Sequence, residues 1–67
     1  MDITAFGRRL RELRLARALT QRELARKAHL EETTIVYLEA GRRQPRPTTV
    51  RRLARVLQVP PLELTAS

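Results

Sequence analysis

The 67-residue chain contains no cysteine, so neither a disulfide framework nor a cysteine-ligated zinc is available to it. A chain this short lies near the lower size limit for folding without such staples, and its stability has to come from a compact apolar core. No apolar run is long enough to span a bilayer. The start, Met1-Asp2-Ile3-Thr4, lacks the basic patch and apolar stretch of a secretory signal, which makes a soluble, cytoplasmic protein the expectation. His29 is the only histidine, and with no second histidine or cysteine cluster beside it no metal or other cofactor is expected. No serine has a histidine partner at a recognisable spacing, there is no glycine-rich phosphate loop, and the glutamates are scattered, so enzymatic chemistry is not expected either. Repeats, low-complexity tracts and long linkers are absent, which leaves a single domain over residues 1–67.

Acidic charge is also scarce. Seven acidic residues face fourteen basic ones, for a net charge of +7 and a pI near 11.7. A surplus this large on so small a domain makes a strong positive field and points to a nucleic acid as partner. All the basic residues except Lys27 are arginines, whose planar fork can donate two parallel bonds to a phosphate.

Glycine and proline are few and divide the chain clearly: Gly7, Gly41, then Pro45, Pro47, Pro60 and Pro61. Between them the apolar spacing is helical. Phe6, Leu10, Leu13 and Arg17 mark a first helix from about Thr4 to Ala18, with Thr4 as the expected N-cap. Thr20-Gln21-Arg22-Glu23 is a capping box opening a second helix, which carries Leu24, Ala25 and Ala28 and ends near Ala28. A third runs from Glu31 or Glu32 to Ala40, with Ile35 and Leu38 as its buried stripe and Gly41 placed to adopt positive φ after it. A fourth runs from Pro47, suited to a first helical position, to Gln58, with Val50, Leu53, Ala54 and Leu57 on one face. Residues 61–65 form a last turn or helix that packs Leu62 or Leu64 onto the rest. The fold class is therefore all-α, a compact bundle of five short helices. The second and third are joined by only His29-Leu30-Glu31, the mark of a helix-turn-helix at about residues 20–40.

Phe6-Gly7-x-x-Leu10-Arg11-x-Leu13-Arg14, Leu19-Thr20-Gln21-x-x-Leu24-Ala25, Thr33-Thr34-Ile35-x-x-Leu38-Glu39-x-Gly41-Arg42-Arg43-x-Pro45 and Leu53-Ala54-x-x-Leu57-x-Val59 occur in this order. Taken together they resemble the phage-repressor/Cro-like (XRE-like) helix-turn-helix family over nearly the whole chain. That resemblance implies a lambda-repressor-like DNA-binding domain, acting as a sequence-specific transcriptional regulator, expected to be a repressor. Glycines usual in the family at the end of the first helix and in the turn are replaced here by Ala18 and His29. If the turn needs positive φ, histidine tolerates it better than alanine.

The resemblance also assigns roles. The third helix would enter the major groove of double-stranded DNA, with Glu32, Thr33, Val36 and Tyr37 facing bases and Glu31 at its entry. A glutamate can accept from cytosine N4, and a threonine can bond a base edge or touch the thymine methyl. Gln21 at the start of the second helix would meet a phosphate. Arg42, Arg43 and Arg46, with Arg22 and Thr34 as lesser candidates, would grip phosphates, giving affinity with little sequence information. Arg14 and Glu39 would form a structural ion pair. A homodimer is implied, at least on DNA, formed through the last helix and the loop before it.

Residues 31–41 hold three glutamates and no basic residue, an awkward charge for a groove-facing segment. Glu31 and Glu32 can favour the positive end of the helix, select cytosine-bearing sites, or mark a surface for a protein partner. That last alternative reads the chain as an interaction module, such as an antitoxin or adaptor on the same fold. Arg8, Arg9 and Arg11, and Arg51, Arg52 and Arg55, are read as solvated faces adding general attraction to DNA. Leu15 falls off the apolar stripe of the first helix.

Overall fold

A computed structural model describes residues 1–66. Five helices follow one another: α1 (Ile3–Ala16), α2 (Gln21–Ala28), α3 (Glu32–Glu39), α4 (Pro47–Leu57) and α5 (Pro61–Thr65). There is no strand among the described residues.

The helix starts use three devices. α1 is capped by Asp2 and not by Thr4, as the sequence had suggested. Asp2 Oδ1 accepts from the N–H groups of Thr4 at 2.9 Å and Ala5 at 3.2 Å. A carboxylate satisfies two otherwise unpaired donors there and places negative charge at the positive end of the helix, which a threonine cannot do. The capping box of α2 is complete: Thr20 Oγ1 accepts from the Glu23 N–H at 3.0 Å, and the Thr20 N–H donates to Glu23 Oε1 at 2.9 Å. α4 and α5 each begin with proline, whose fixed φ suits a first turn and whose missing N–H is not needed there.

The first four helices all end in the same closure. Ala18, His29, Gly41 and Gln58 adopt left-handed φ of 56°, 58°, 71° and 60°. The residue after each donates back into the helix: Leu19 to Arg14 O at 3.1 Å, Leu30 to Ala25 O at 2.8 Å, Arg42 to Tyr37 O at 3.0 Å, Val59 to Ala54 O at 3.1 Å. These are Schellman closures, and they satisfy carbonyls that would otherwise be orphaned. Only Gly41 is free of the steric penalty that a β-carbon carries in this region, about 1 kcal/mol or more for the other three. Leu19, Leu30 and Val59 offset it, since each turns down onto the core immediately after the closure.

Phe6 and Leu10 of α1, Leu24, Ala25 and Ala28 of α2, Ile35 and Leu38 of α3, Val50, Leu53, Ala54 and Leu57 of α4, and Leu64 of α5 form one buried cluster. α3 packs on both α1 and α2, α4 on α2 and α5, and α5 also touches α1. The close approach of α1 to α3 depends on Gly7. A β-carbon at that position would run into the carbonyl oxygens of Leu38 and Glu39. Two smaller expectations change: Arg17 is exposed, beyond the end of α1, and α5 buries Leu64 while Leu62 stays exposed.

Candidate nucleic-acid interface

α3 is fixed from behind and open in front. Ile35 and Leu38 hold it in the core, while Glu32, Thr33, Val36 and Tyr37 are exposed. Thr33, Val36 and Tyr37 follow i, i+3, i+4 spacing, so they share one outward stripe, with Glu32 in the first turn beside it. The stripe offers a carboxylate, a hydroxyl, a methyl-bearing side chain and a phenol, a set able to touch base edges.

Glu39 ties the two helices of the helix-turn-helix to α1. Arg14 Nε donates to Glu39 Oε2 at 2.7 Å and Arg14 Nη2 to Glu39 Oε1 at 3.0 Å, a two-point contact between side chains that are both almost wholly buried. Arg14 Nη1 donates to the Leu19 carbonyl at 2.8 Å, bracing the α1–α2 turn. The hydrogen bonds from Glu39 raise the Arg14 pKa above its already high ordinary value, against the opposing effect of burial. Every buried side-chain nitrogen and oxygen among the described residues has a partner, which such a buried pair requires.

Gln21, expected at a phosphate, stands at the first position of α2, but its amide Nε2 donates to Glu39 Oε1 at 3.1 Å. The side chain is therefore anchored to the ion pair, while the unpaired N–H groups of the first turn remain at the helix end. Arg22 beside it is exposed. Glu31 occupies the N-cap position of α3 yet makes no capping hydrogen bond through its side chain.

The loop from Gly41 to Arg46 returns across the end of α3. Arg42 and Arg46 are exposed and make no ion pair among the described residues. Arg46 is also the N-cap residue of α4, again without a side-chain cap bond. Arg43 behaves differently: its guanidinium carbon lies 5.0 Å from the centroid of the Tyr37 ring, and its Nη1 is 3.4 Å from Thr34 Oγ1. Thr34, a lesser phosphate candidate, is half-buried and serves as this acceptor. An open cleft of about 420 Å³ runs between α3 and the start of α4, bordered by Thr34, Arg43, Arg46 and Thr49.

Three of these arrangements could not be seen as spacing: the link from Gln21 to Glu39, the stack of Arg43 on Tyr37, and a bond of 3.4 Å from Arg52 Nη1 to the His29 carbonyl in the turn. The one available signal was Gly41, whose left-handed turn sends the chain back toward Tyr37. His29 is exposed in that turn, and no group of His, Asp or Glu among the described residues is placed to hold a metal ion. No helix among them is long and apolar enough to cross a membrane.

Residues 5–66 match the family described as helix-turn-helix domain. The chain is 44% identical over 66 residues to the uncharacterized HTH-type transcriptional regulator RghRB of Bacillus subtilis (strain 168), a match that covers 97% of this chain and 48% of the relative. The chain thus spans about half the length of that protein. Among solved structures, the restriction-modification controller protein C.AhdI from Aeromonas hydrophila superposes with a TM-score of 0.91 at 38% identity, covering 94% of this chain and 96% of that one.

Proposed function

The chain belongs to the helix-turn-helix domain family, and from that premise we propose that it is a sequence-specific double-stranded DNA-binding transcriptional regulator, a repressor acting in the cytoplasm. The observation that carries this reading is the exposed stripe of α3, braced from behind by Glu39 and bordered by arginines that have no acidic partner. α3 lies in the major groove, where Glu32, Thr33, Val36 and Tyr37 meet base edges. Arg22, Arg42, Arg46 and the first-turn N–H groups of α2 at Gln21 meet phosphates. The similarity to a protein described as a transcriptional regulator and to one described as a restriction-modification controller supports the same reading.

Two copies bind paired half-sites about one helical turn apart. Three arginine–phosphate contacts from each copy would neutralise about six phosphates, so affinity falls roughly 1,000-fold between about 50 and 200 mM salt. A fluorescence-anisotropy titration against genomic fragments at these two salt concentrations tests the proposal. Tight binding to a few fragments, lost steeply with salt, is expected. Equal weak binding to all of them would overturn it, and would favour the protein-partner reading that the unpaired Glu31 and Glu32 leave open.

A further inference from the structure

Of the three arginines in the loop after α3, Arg43 alone is held by the helix. Its two contacts, Tyr37 and Thr34, are three residues apart on α3, so the side chain lies along one flank of that helix. The backbone prepares this position. Gly41 turns the chain at φ 71°, and the Arg42 N–H bonds the Tyr37 carbonyl at 3.0 Å, which brings residue 43 back beside the Tyr37 ring. Arg42 and Arg46, by contrast, are exposed with no side-chain hydrogen bond or ion pair among the described residues, as suits cations that reach for phosphates.

We propose that Arg43 and Tyr37 act as one base-reading unit, with Arg43 directed at a guanine and positioned by the Tyr37 ring and the Thr34 hydroxyl. This rests on the reading of α3 as the groove-facing helix. A guanidinium carries five N–H donors, and only one of them is engaged with Thr34. The aromatic face fixes the plane of the fork while leaving its remaining edge open. A two-point bond from such an edge to guanine O6 and N7 is the commonest specific contact of arginine with DNA. Holding the long side chain in place before binding also removes much of the rotamer entropy that ordering it on DNA would cost. No carboxylate competes, since Arg43 makes no ion pair among the described residues.

Selection from randomised duplexes, followed by affinities for every single-base variant of the selected site, tests the unit. Arg43→Lys keeps the charge but loses the fork, and Tyr37→Leu removes the ring while Tyr37→Phe keeps it. Both Arg43→Lys and Tyr37→Leu are expected to erase a roughly 10- to 100-fold preference for guanine at the same position, with the other positions unchanged. The double variant is expected to be no worse there than either single one, Tyr37→Phe to behave as the parent, and the salt slope of Arg43→Lys to stay the same. All three side chains are exposed, and melting curves confirm that each variant is folded. The proposal is overturned if Arg43→Ala weakens every sequence alike and lowers the salt slope by about 0.9, the mark of a phosphate contact, with Tyr37→Leu silent. A parent chain that selects no sequence at all would overturn the DNA-reading function itself, a result distinct from a parent that selects a site without Arg43.

Discussion

Replacing Glu39 by alanine removes one carboxylate and leaves Arg14 inside the protein with a single carbonyl partner, Leu19 O. Both side chains are almost wholly buried, 8% and 4% exposed, so water cannot take over the lost contact without opening the α1–α3 seam. Breaking a buried pair from one side costs about 3–5 kcal/mol, because the surviving charge stays desolvated and uncompensated. The freed Gln21 amide adds to the loss. A domain of this length is expected to have about 3–10 kcal/mol of stability in all. Glu39→Ala should therefore lower the melting temperature by on the order of 15–30 °C and leave a visible unfolded fraction near ambient temperature. Urea unfolding followed by circular dichroism measures the change as a shift of midpoint at constant slope. The companion variant, Arg14→Met with Glu39→Leu, exchanges the pair for apolar side chains of similar size and should recover most of the stability. A loss below about 1 kcal/mol for Glu39→Ala, the size seen for solvent-exposed pairs, would refute the reasoning.

Other consequences follow from local geometry. Ala18→Gly relieves a β-carbon from a left-handed closure at φ 56°, and should raise stability by about 0.5–1 kcal/mol after the larger backbone entropy of glycine is allowed for; an unchanged or lower urea midpoint would contradict it. Gly7→Ala drives a methyl group into backbone carbonyls of α3 that cannot rotate away, and should destabilise by about 3 kcal/mol, read in the same assay. The Thr20 backbone N–H, then its hydroxyl, hold the Glu23 carboxyl below its ordinary value of 4.5. Its folded pKa is depressed, so its stabilisation is complete above that value and is lost as pH falls through the folded pKa. Glu23→Gln keeps the capping acceptor without the titration, and unfolding midpoints measured as pH drops below 4.5 should fall less steeply for it than for the parent. Glu32→Gln should change base preference at one position without weakening all sites equally, as affinities for single-base variants would reveal.

The repeating elements of the fold were legible because each rests on a short stretch of chain. The Thr20–Glu23 box, the α4 stripe of Val50, Leu53, Ala54 and Leu57, and the proline starts all depend on neighbours within a turn or two. Where two local signals competed, the sequence was ambiguous. Asp2 and Thr4 are both good caps, and Asp2 prevails because its carboxylate takes two N–H groups. Ala18 and Gln58 adopt left-handed φ without a glycine to announce it; the signal lies one residue on, in Leu19 and Val59, which need the closure to reach the core. The outward stripe of α3 could be counted from Ile35 and Leu38, since what remains must face away. What the stripe is joined to could not be counted. The anchoring of Gln21 to Glu39 spans eighteen residues, and the stack of Arg43 on Tyr37 depends on how the Gly41 turn folds back.

The central claim is that α3 reads DNA through the major groove. Guanine methylated at N7 carries its extra group in that groove, so methylation interference on a selected binding site tests the claim most directly. Strong interference at guanines in two clusters about one helical turn apart is the predicted result. Undiminished binding to N7-methylated DNA, with interference only from adenine N3 methylation in the minor groove, would contradict it.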